Sequence, residues 1–207
     1  MQLTKKIGVL ASGQGSNLQA IIDAEKRGEL AGKVSVVVSD NPDAYVLKRA
    51  KDNGIKDVVL DSKKFISREE YDQALLKILN EESLDFVVLA GFMRLLSRII
   101  VSAYPGRIMN IHPSLLPSFP GKDGIKKALE HGVKITGCTV HFVDEELDNG
   151  PIIIQEAVPI FQEDTEETLW ERVQAAEHRN YPRAIDLFCR DLLKIEGRRC
   201  FIYGPEE

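Results

Sequence analysis

Short runs rich in valine and isoleucine recur along this chain, and segments with helical spacing lie between them. The runs are Ile7–Leu10, Val34–Val38, Val58–Leu60, Phe86–Ala90 and Ile108–Ile111. Leu18, Ile21 and Ile22 follow Ser16 at helical spacing. Asn41-Pro42 opens a segment that stops at Asn53-Gly54, with proline near the start and glycine at the end. Ser67-x-x-Glu70 is a capping box before a helix reaching about Glu82. A β-α-β-α rhythm of this kind predicts an α/β fold, with a mostly parallel central sheet and helices on both faces.

The rhythm changes after Asn110. "HPSLLPSFPGKDG" has too many prolines for a long helix or a central strand. A short helix is expected over about Asp123 to His131. "VKITGCTVHFV" and "PIIIQEAVPI" then read as strands, and the short "DEELDNG" between them favours antiparallel pairing and a mixed sheet. Thr165 to about Leu193 reads as helix, with Pro182 marking a kink or break, and "RRCFIYGPEE" as a surface tail.

A length of 207 residues suits one large domain or two small lobes sharing a sheet, and 43% hydrophobic with 29% charged residues suits a globule with a real core. A net charge of −5 argues against nucleic acid as a partner, without excluding small anions held at a local site. Cys138, Cys189 and Cys200 are an odd number without CxxC spacing, so neither a disulfide framework nor a zinc site is expected. "MQLTKKIGVL" leads straight into a glycine turn and is no signal peptide. The longest apolar stretch, Phe86 to Met93, is too short to span a bilayer. A cytoplasmic protein is expected.

"ASGQGSNLQAII" follows the first apolar run. Gly13 and Gly15 permit a sharp turn and close approach to an anion. Ser16 and Asn17 add side-chain groups and free N–H groups at a helix start, which together make a phosphate seat. The third glycine of a dinucleotide pattern is replaced by Leu18, and no Gly-Lys-Ser/Thr follows, so neither that pattern nor a P-loop is complete. Asp40 is only roughly placed for a ribose hydroxyl. Ligands of open α/β sheets bind at the carboxyl ends of strands. The glycine turn, the segment after Ala90 and the proline loop would all meet there.

Asn110 and His112 stand two apart at the end of a strand and would point the same way. An amide donor beside a titratable ring can polarise a carbonyl and manage a proton. Among the other histidines, His131 reads as a helix C-cap, and His141 and His178 as core or supporting groups. The acidic loop Asp144, Glu145, Glu146 and Asp148 is either a solvated turn or the source of a carboxylate that favours a charged histidine.

The runs "SGQGSNLQAII", "SREEYD", "VVLAGFMRLLS", "NIHPSLLPSFPG", "HFVDEELDNGPII" and "QAAEHRNYP", in order from about Ile7 to Pro182, resemble the folate-dependent phosphoribosylglycinamide formyltransferases of purine synthesis. The resemblance implies a Rossmann-like three-layer formyltransferase fold. It implies a single domain over 1–207, with a phosphate-binding half at about 1–105 and a folate-binding and catalytic half at about 106–195. Gly15, Ser16, Asn17 and Glu177 would hold 5-phosphoribosylglycinamide. The co-substrate 10-formyltetrahydrofolate would meet Arg68, the run Met93, Arg94, Leu95 and Leu96, then Asn110 and the loop Asp144, Glu145, Glu146, Leu147 and Asp148. The catalytic residues would be Asn110, His112 and Asp148, with no metal. Asn110 and protonated His112 would stabilise a tetrahedral oxyanion, a role usually worth ~3–4 kcal/mol per donor. The proton route is left open among His112, Asp148 and water. A homodimer is also implied. Where some relatives carry histidines, this chain reads "PGKDGI", so Lys122 and Asp123 take no role.

Two other folate enzymes share such a domain. A tRNA formyltransferase would add an RNA-binding domain and a formyltetrahydrofolate deformylase a regulatory one, and 207 residues leave no room for either. A nucleotide-binding module without chemistry would make Asn110, His112 and Asp148 incidental. An NAD-linked dehydrogenase is disfavoured by Leu18.

Overall fold

The structure, a computed structural model, describes residues 4–204. Met1–Leu3 of the N-terminal stretch and Pro205–Glu207 of the tail lie outside them. The first half alternates strand and helix: β1 (Lys5–Leu10), α1 (Ser16–Arg27), β2 (Gly32–Ser39), α2 (Tyr45–Asp52), β3 (Lys56–Val59), α3 (Arg68–Glu81), β4 (Phe86–Leu89), α4 (Arg98–Ala103) and β5 (Ile108–His112). Then come α5 (Gly124–Glu130), β6 (Ile135–Phe142), β7 (Ile152–Pro159), α6 (Glu166–Cys189), β8 (Leu193–Glu196) and β9 (Arg199–Ile202). All strands join one sheet in the order β3-β2-β1-β4-β5-β6-β7-β9-β8. β1 to β5 are parallel, and β6 and β7 run antiparallel to their predecessors.

Alternation within the strands builds two apolar layers. Ile7 and Val9 of β1, Phe86 and Val88 of β4 and Met109 of β5 face a core closed by α1, α2 and α6. Leu10, Val87, Leu89 and Ile108 face the opposite core, closed by α3 and α4. A third cluster packs α5 and the first half of α6 against β6 and β7. Burying each large aliphatic side chain stabilises the fold by roughly 1.5–3 kcal/mol, so these layers fix which strand faces point inward.

β1 lies between β2 and β4, so the chain reverses direction across the sheet there. The crevice at such a switch point is where open α/β sheets bind ligands. The glycine turn and the segment after β4 border it and are tied together: Ser12 N–H donates to Gly91 O at 3.1 Å, and Met93 N–H to Ser12 Oγ at 2.9 Å. Tyr181 of α6, fully buried, places its hydroxyl 2.7 Å from Leu89 O and 3.0 Å from Met109 O. That side chain ties the carboxyl end of β4 to the start of β5.

Several elements differ from expectation. α6 runs unbroken through Pro182 and ends at Cys189, not near Leu193. Proline removes one helical N–H, but its neighbours Tyr181, Ala184 and Ile185 are fully buried, and that packing holds the turn. The tail is not loose: β8 and β9 form a hairpin, and β9 joins β7 through Ile152 and Arg199. α4, capped by Ser97, is a helix within the segment after Ala90 for which the sequence pattern sets no expectation. At α3, Ser67 Oγ accepts from Glu70 N–H at 3.1 Å, while the Glu70 carboxylate takes the Ile66 N–H, one residue before the cap. Among the described residues, no helix is long and apolar enough to cross a membrane.

Candidate active site

Asn110 and His112 project from one face of β5, as their spacing requires. Both meet Asp148. His112 Nδ1 lies 3.4 Å from Asp148 Oδ2, and the two side chains are only 6% and 8% exposed. His112 Nε2 lies 2.9 Å from Phe119 O. Both ring nitrogens therefore face oxygen acceptors, and only an imidazolium can donate to both. Asp148 is held in turn by Gly121 N–H, which donates to Oδ2 at 2.7 Å. Its backbone is left-handed, with φ of 50°. Just beyond it, a Cβ on Gly150 would collide with the Phe142 carbonyl, so the loop returns to β7 only with glycine there.

His141 stands opposite Asn110 across β5 and β6. Burial pushes its pKa down and favours the neutral ring. Its Nδ1 lies 2.8 Å from Phe142 O and so carries the proton, leaving Nε2 to accept from Asn110 Nδ2 at 3.2 Å. The same Asn110 nitrogen lies 3.5 Å from Asp148 Oδ1. His141 thus sets which end of the Asn110 amide faces the carboxylate. A β-bulge beside it, where Ile153 is the extra residue of β7, adjusts the register at this point.

The glycine turn forms the second part of the site. Gly15 caps α1 with φ of 72°. Asn17 Nδ2 donates to Glu177 Oε2 at 3.0 Å, and Gln174 Nε2 to Ser16 Oγ at 3.2 Å. The buried Oδ1 of Asn17 has no protein donor. Glu177 is 2% exposed, and burial pushes its pKa up to about 7, against the opposing pull of the Asn17 hydrogen bond. The native state therefore binds an extra proton between about pH 4.5 and about pH 7, and stability should fall as pH rises through that window. The full loss is roughly 3 kcal/mol. Urea midpoints against pH should show this slope in the parent and not in Glu177→Gln. A slope that persisted in the variant would belong to another group.

The remaining candidates are spread along the rim. Met93, Leu95 and Leu147 hold their apolar side chains out to solvent, while Leu96 packs into the α3–α4 core. Arg94 stacks its guanidinium over the Tyr71 ring at 4.3 Å, and its buried Nε has no partner. Arg68 starts α3, half-exposed and 3.7 Å from Glu69. In the acidic loop, Asp144 accepts from Glu146 N–H, Glu145 pairs with Arg98, and Glu146 accepts from Asn149. Asp148 is the member turned towards the histidines. A cleft of about 640 Å³, lined by Lys6, Lys26, Lys33 and Lys56, lies at the amino ends of β1 and β2, away from this chemistry.

Residues 5–185 match the sequence model of the formyl transferase family. The chain belongs to that family. It is 48% identical over 198 residues to phosphoribosylglycinamide formyltransferase of Escherichia coli, covering 96% of this chain and 93% of that one. The crystal structure of glycinamide ribonucleotide transformylase 1 from Symbiobacterium toebii superposes with a TM-score of 0.95 at 51% identity, over 97% of this chain and 95% of that one. A chicken trifunctional purine biosynthetic protein, adenosine-3, is 46% identical over 198 residues. The match covers 95% of this chain and about a fifth (20%) of that protein.

In this formyl transferase, His141 reads from the sequence only as a core or supporting group, and the Phe119 carbonyl, the Gly121 N–H and Gln174 carry no expectation there. His141 needed the β5–β6 register to be seen. The two backbone groups carry no residue signature at all. Gln174 sits three residues before Glu177, one helical turn away, and that spacing was a usable signal. His131 is the expected C-cap, with Nδ1 2.9 Å from Lys127 O. Among the described residues, no group of three or more His, Cys, Asp or Glu side chains is arranged to hold a metal.

Proposed function

We propose that this formyl transferase carries the formyl group of 10-formyltetrahydrofolate to the amine of 5-phosphoribosylglycinamide, a step of purine synthesis. The convergence of Asn110, His112 and Asp148 beside the Gly15–Asn17 turn supports the reading best. A phosphate at the start of α1 would accept from free N–H groups. Glu177 and the unpaired Asn17 Oδ1 lie next to it, where a sugar or its amine can donate. The apolar side chains of Met93, Leu95 and Leu147 suit the face of a pterin and its linker, and Arg68 suits a carboxylate tail.

The chemistry runs through charge developed on one oxygen. As the amine attacks the formyl carbon, the carbonyl oxygen becomes an oxyanion. The His112 imidazolium, paired with Asp148, supplies positive charge next to it. The Asn110 amide offers its second N–H, because its 3.5 Å contact to Asp148 is weak enough to be exchanged. Groups already oriented by Asp148, Phe119 and His141 need little reorganisation as the charge appears, which is the source of their catalytic value. The proton leaving the amine and the proton reaching the folate nitrogen are handled beside this pair.

An absorbance assay with 10-formyltetrahydrofolate and the glycinamide substrate tests the proposal. Cofactor consumption should require the amine and yield the N-formyl product. Formate released without an amine would move the chain to deformylase chemistry, with water as the acceptor. Exhaustive chelation should leave the rate unchanged, and a loss restored by zinc or magnesium would refute the metal-free reading.

A further inference from the structure

We propose that Thr139 and Gln155 are positioning residues that clamp the proline loop, so that the Phe119 carbonyl holds the His112 ring in its working orientation. The inference rests on the reading of His112 as catalytic. Residues 113–121 contain neither helix nor strand, so their backbone groups need partners from elsewhere. Two side chains of the antiparallel strands supply them. Thr139 of β6 stands opposite His112 on one side and opposite Gln155 of β7 on the other.

Thr139 is fully buried, and its hydroxyl is used to capacity. It donates to Ser114 O at 2.6 Å and accepts from Leu116 N–H at 3.0 Å and from Gln155 Nε2 at 3.0 Å. Gln155 Nε2 also donates to Leu116 O at 2.8 Å. From the clamped residue Ser114, Oγ donates to Ser118 O at 2.6 Å. The next residue, Phe119, is left-handed with φ of 51°, and its carbonyl meets His112 Nε2. A chain of hydrogen bonds thus begins on the strand beside His112 and ends on the His112 ring. Residue 139 must both donate and accept and residue 155 must donate twice, so valine at 139 or methionine at 155 would open it at near-constant volume.

The test compares four purified variants with the parent: Thr139→Val, Thr139→Ser, Gln155→Met and Thr136→Val. Thr136 is the control, a buried threonine of the same strand whose hydroxyl has no partner. Thr139→Val and Gln155→Met should lose on the order of ten- to hundredfold in kcat, the scale of a small misplacement of a reacting group. KM for the glycinamide substrate should change less than about threefold, because the phosphate seat is untouched. Thr139→Ser should recover most of the activity, and Thr136→Val should match the parent. A slowly exchanging imidazole Nε2–H resonance of His112 should appear in the parent, Thr139→Ser and Thr136→Val, and be lost in the two clamp variants. A folded Thr139→Val with parent kcat and a retained resonance would overturn the proposal, as would equal losses in Thr136→Val. If Thr139→Val fails to fold, Gln155→Met decides by the same two readouts. If the parent transfers no formyl group, the functional reading fails, and the resonance still reports whether the clamp holds the ring.

Discussion

Replacing Asp148 with asparagine should cut turnover by on the order of a hundredfold or more while leaving the fold nearly intact. The amide has the shape of the carboxylate but neither its charge nor its symmetry. Oδ2 accepts from Gly121 N–H and faces His112 Nδ1, while Oδ1 faces the Asn110 amide nitrogen. Whichever way the new amide turns, its NH2 meets one of these donors, and one contact becomes repulsive. The ring also loses the anion beside its Nδ1. Steady-state kinetics of parent and variant check this, with urea denaturation to show that the fold survives. A normal rate in the folded variant would reduce the acidic loop to a solvated turn.

Gly15→Val should damage both stability and substrate binding. The sequence suggests that a side chain here would block the anion. The structure adds a different obstacle: a Cβ would lie 2.5 Å from Val46 Cγ2, 2.8 Å from its Cβ and 3.0 Å from its Cα. Val46 is fully buried on α2, and its N–H is bonded to Gly13 O at 3.0 Å, so the turn and α2 cannot separate without breaking that contact. The left-handed backbone adds ~1–2 kcal/mol for a non-glycine residue, and overpacking adds ~1–3 kcal/mol. Urea denaturation should show a loss of this combined size, with an unchanged m-value. Calorimetry on the protein that remains folded should show weakened binding of the glycinamide substrate. Unchanged affinity would refute the phosphate assignment. Gly13, by contrast, has open space around it and no left-handed φ. Of the two glycines in the motif, only Gly15 is demanded by the backbone.

The parts of the molecule legible in the sequence are those written in local pattern. The parallel strands and α1 to α3 follow from apolar runs, caps and turn residues that act within a few positions. Asn110 and His112 share a face because strand geometry leaves no alternative. Their approach to Asp148, 36 to 38 residues away, came from resemblance, since no local rule fixes the path of the acidic loop. Misreadings arose where tertiary packing overrides local preference. Pro182 is carried inside a helix because buried neighbours hold it. The terminal hairpin forms because β7 offers an edge, which the segment "RRCFIYGPEE" does not reveal by itself. His141 and the Thr139–Gln155 pair depend on register across β5, β6 and β7, and register belongs to the assembled sheet.

The reach of Tyr181 to the end of β4 and the start of β5 also bears on synthesis from the ribosome. Its two acceptors precede it by 92 and 72 residues. Until α6 has emerged, the five parallel strands lack the helix that completes one of their two apolar layers, and Phe86, Val88 and Met109 stay uncovered. The growing chain therefore carries a sticky sheet face from Met109 until α6 is made, and the crevice and the fold are completed together by one late helix. Contacts this distant along the chain are slow to form. Residue 181 must therefore reach the sheet before a second molecule meets the uncovered face, where exposed apolar surface favours aggregation.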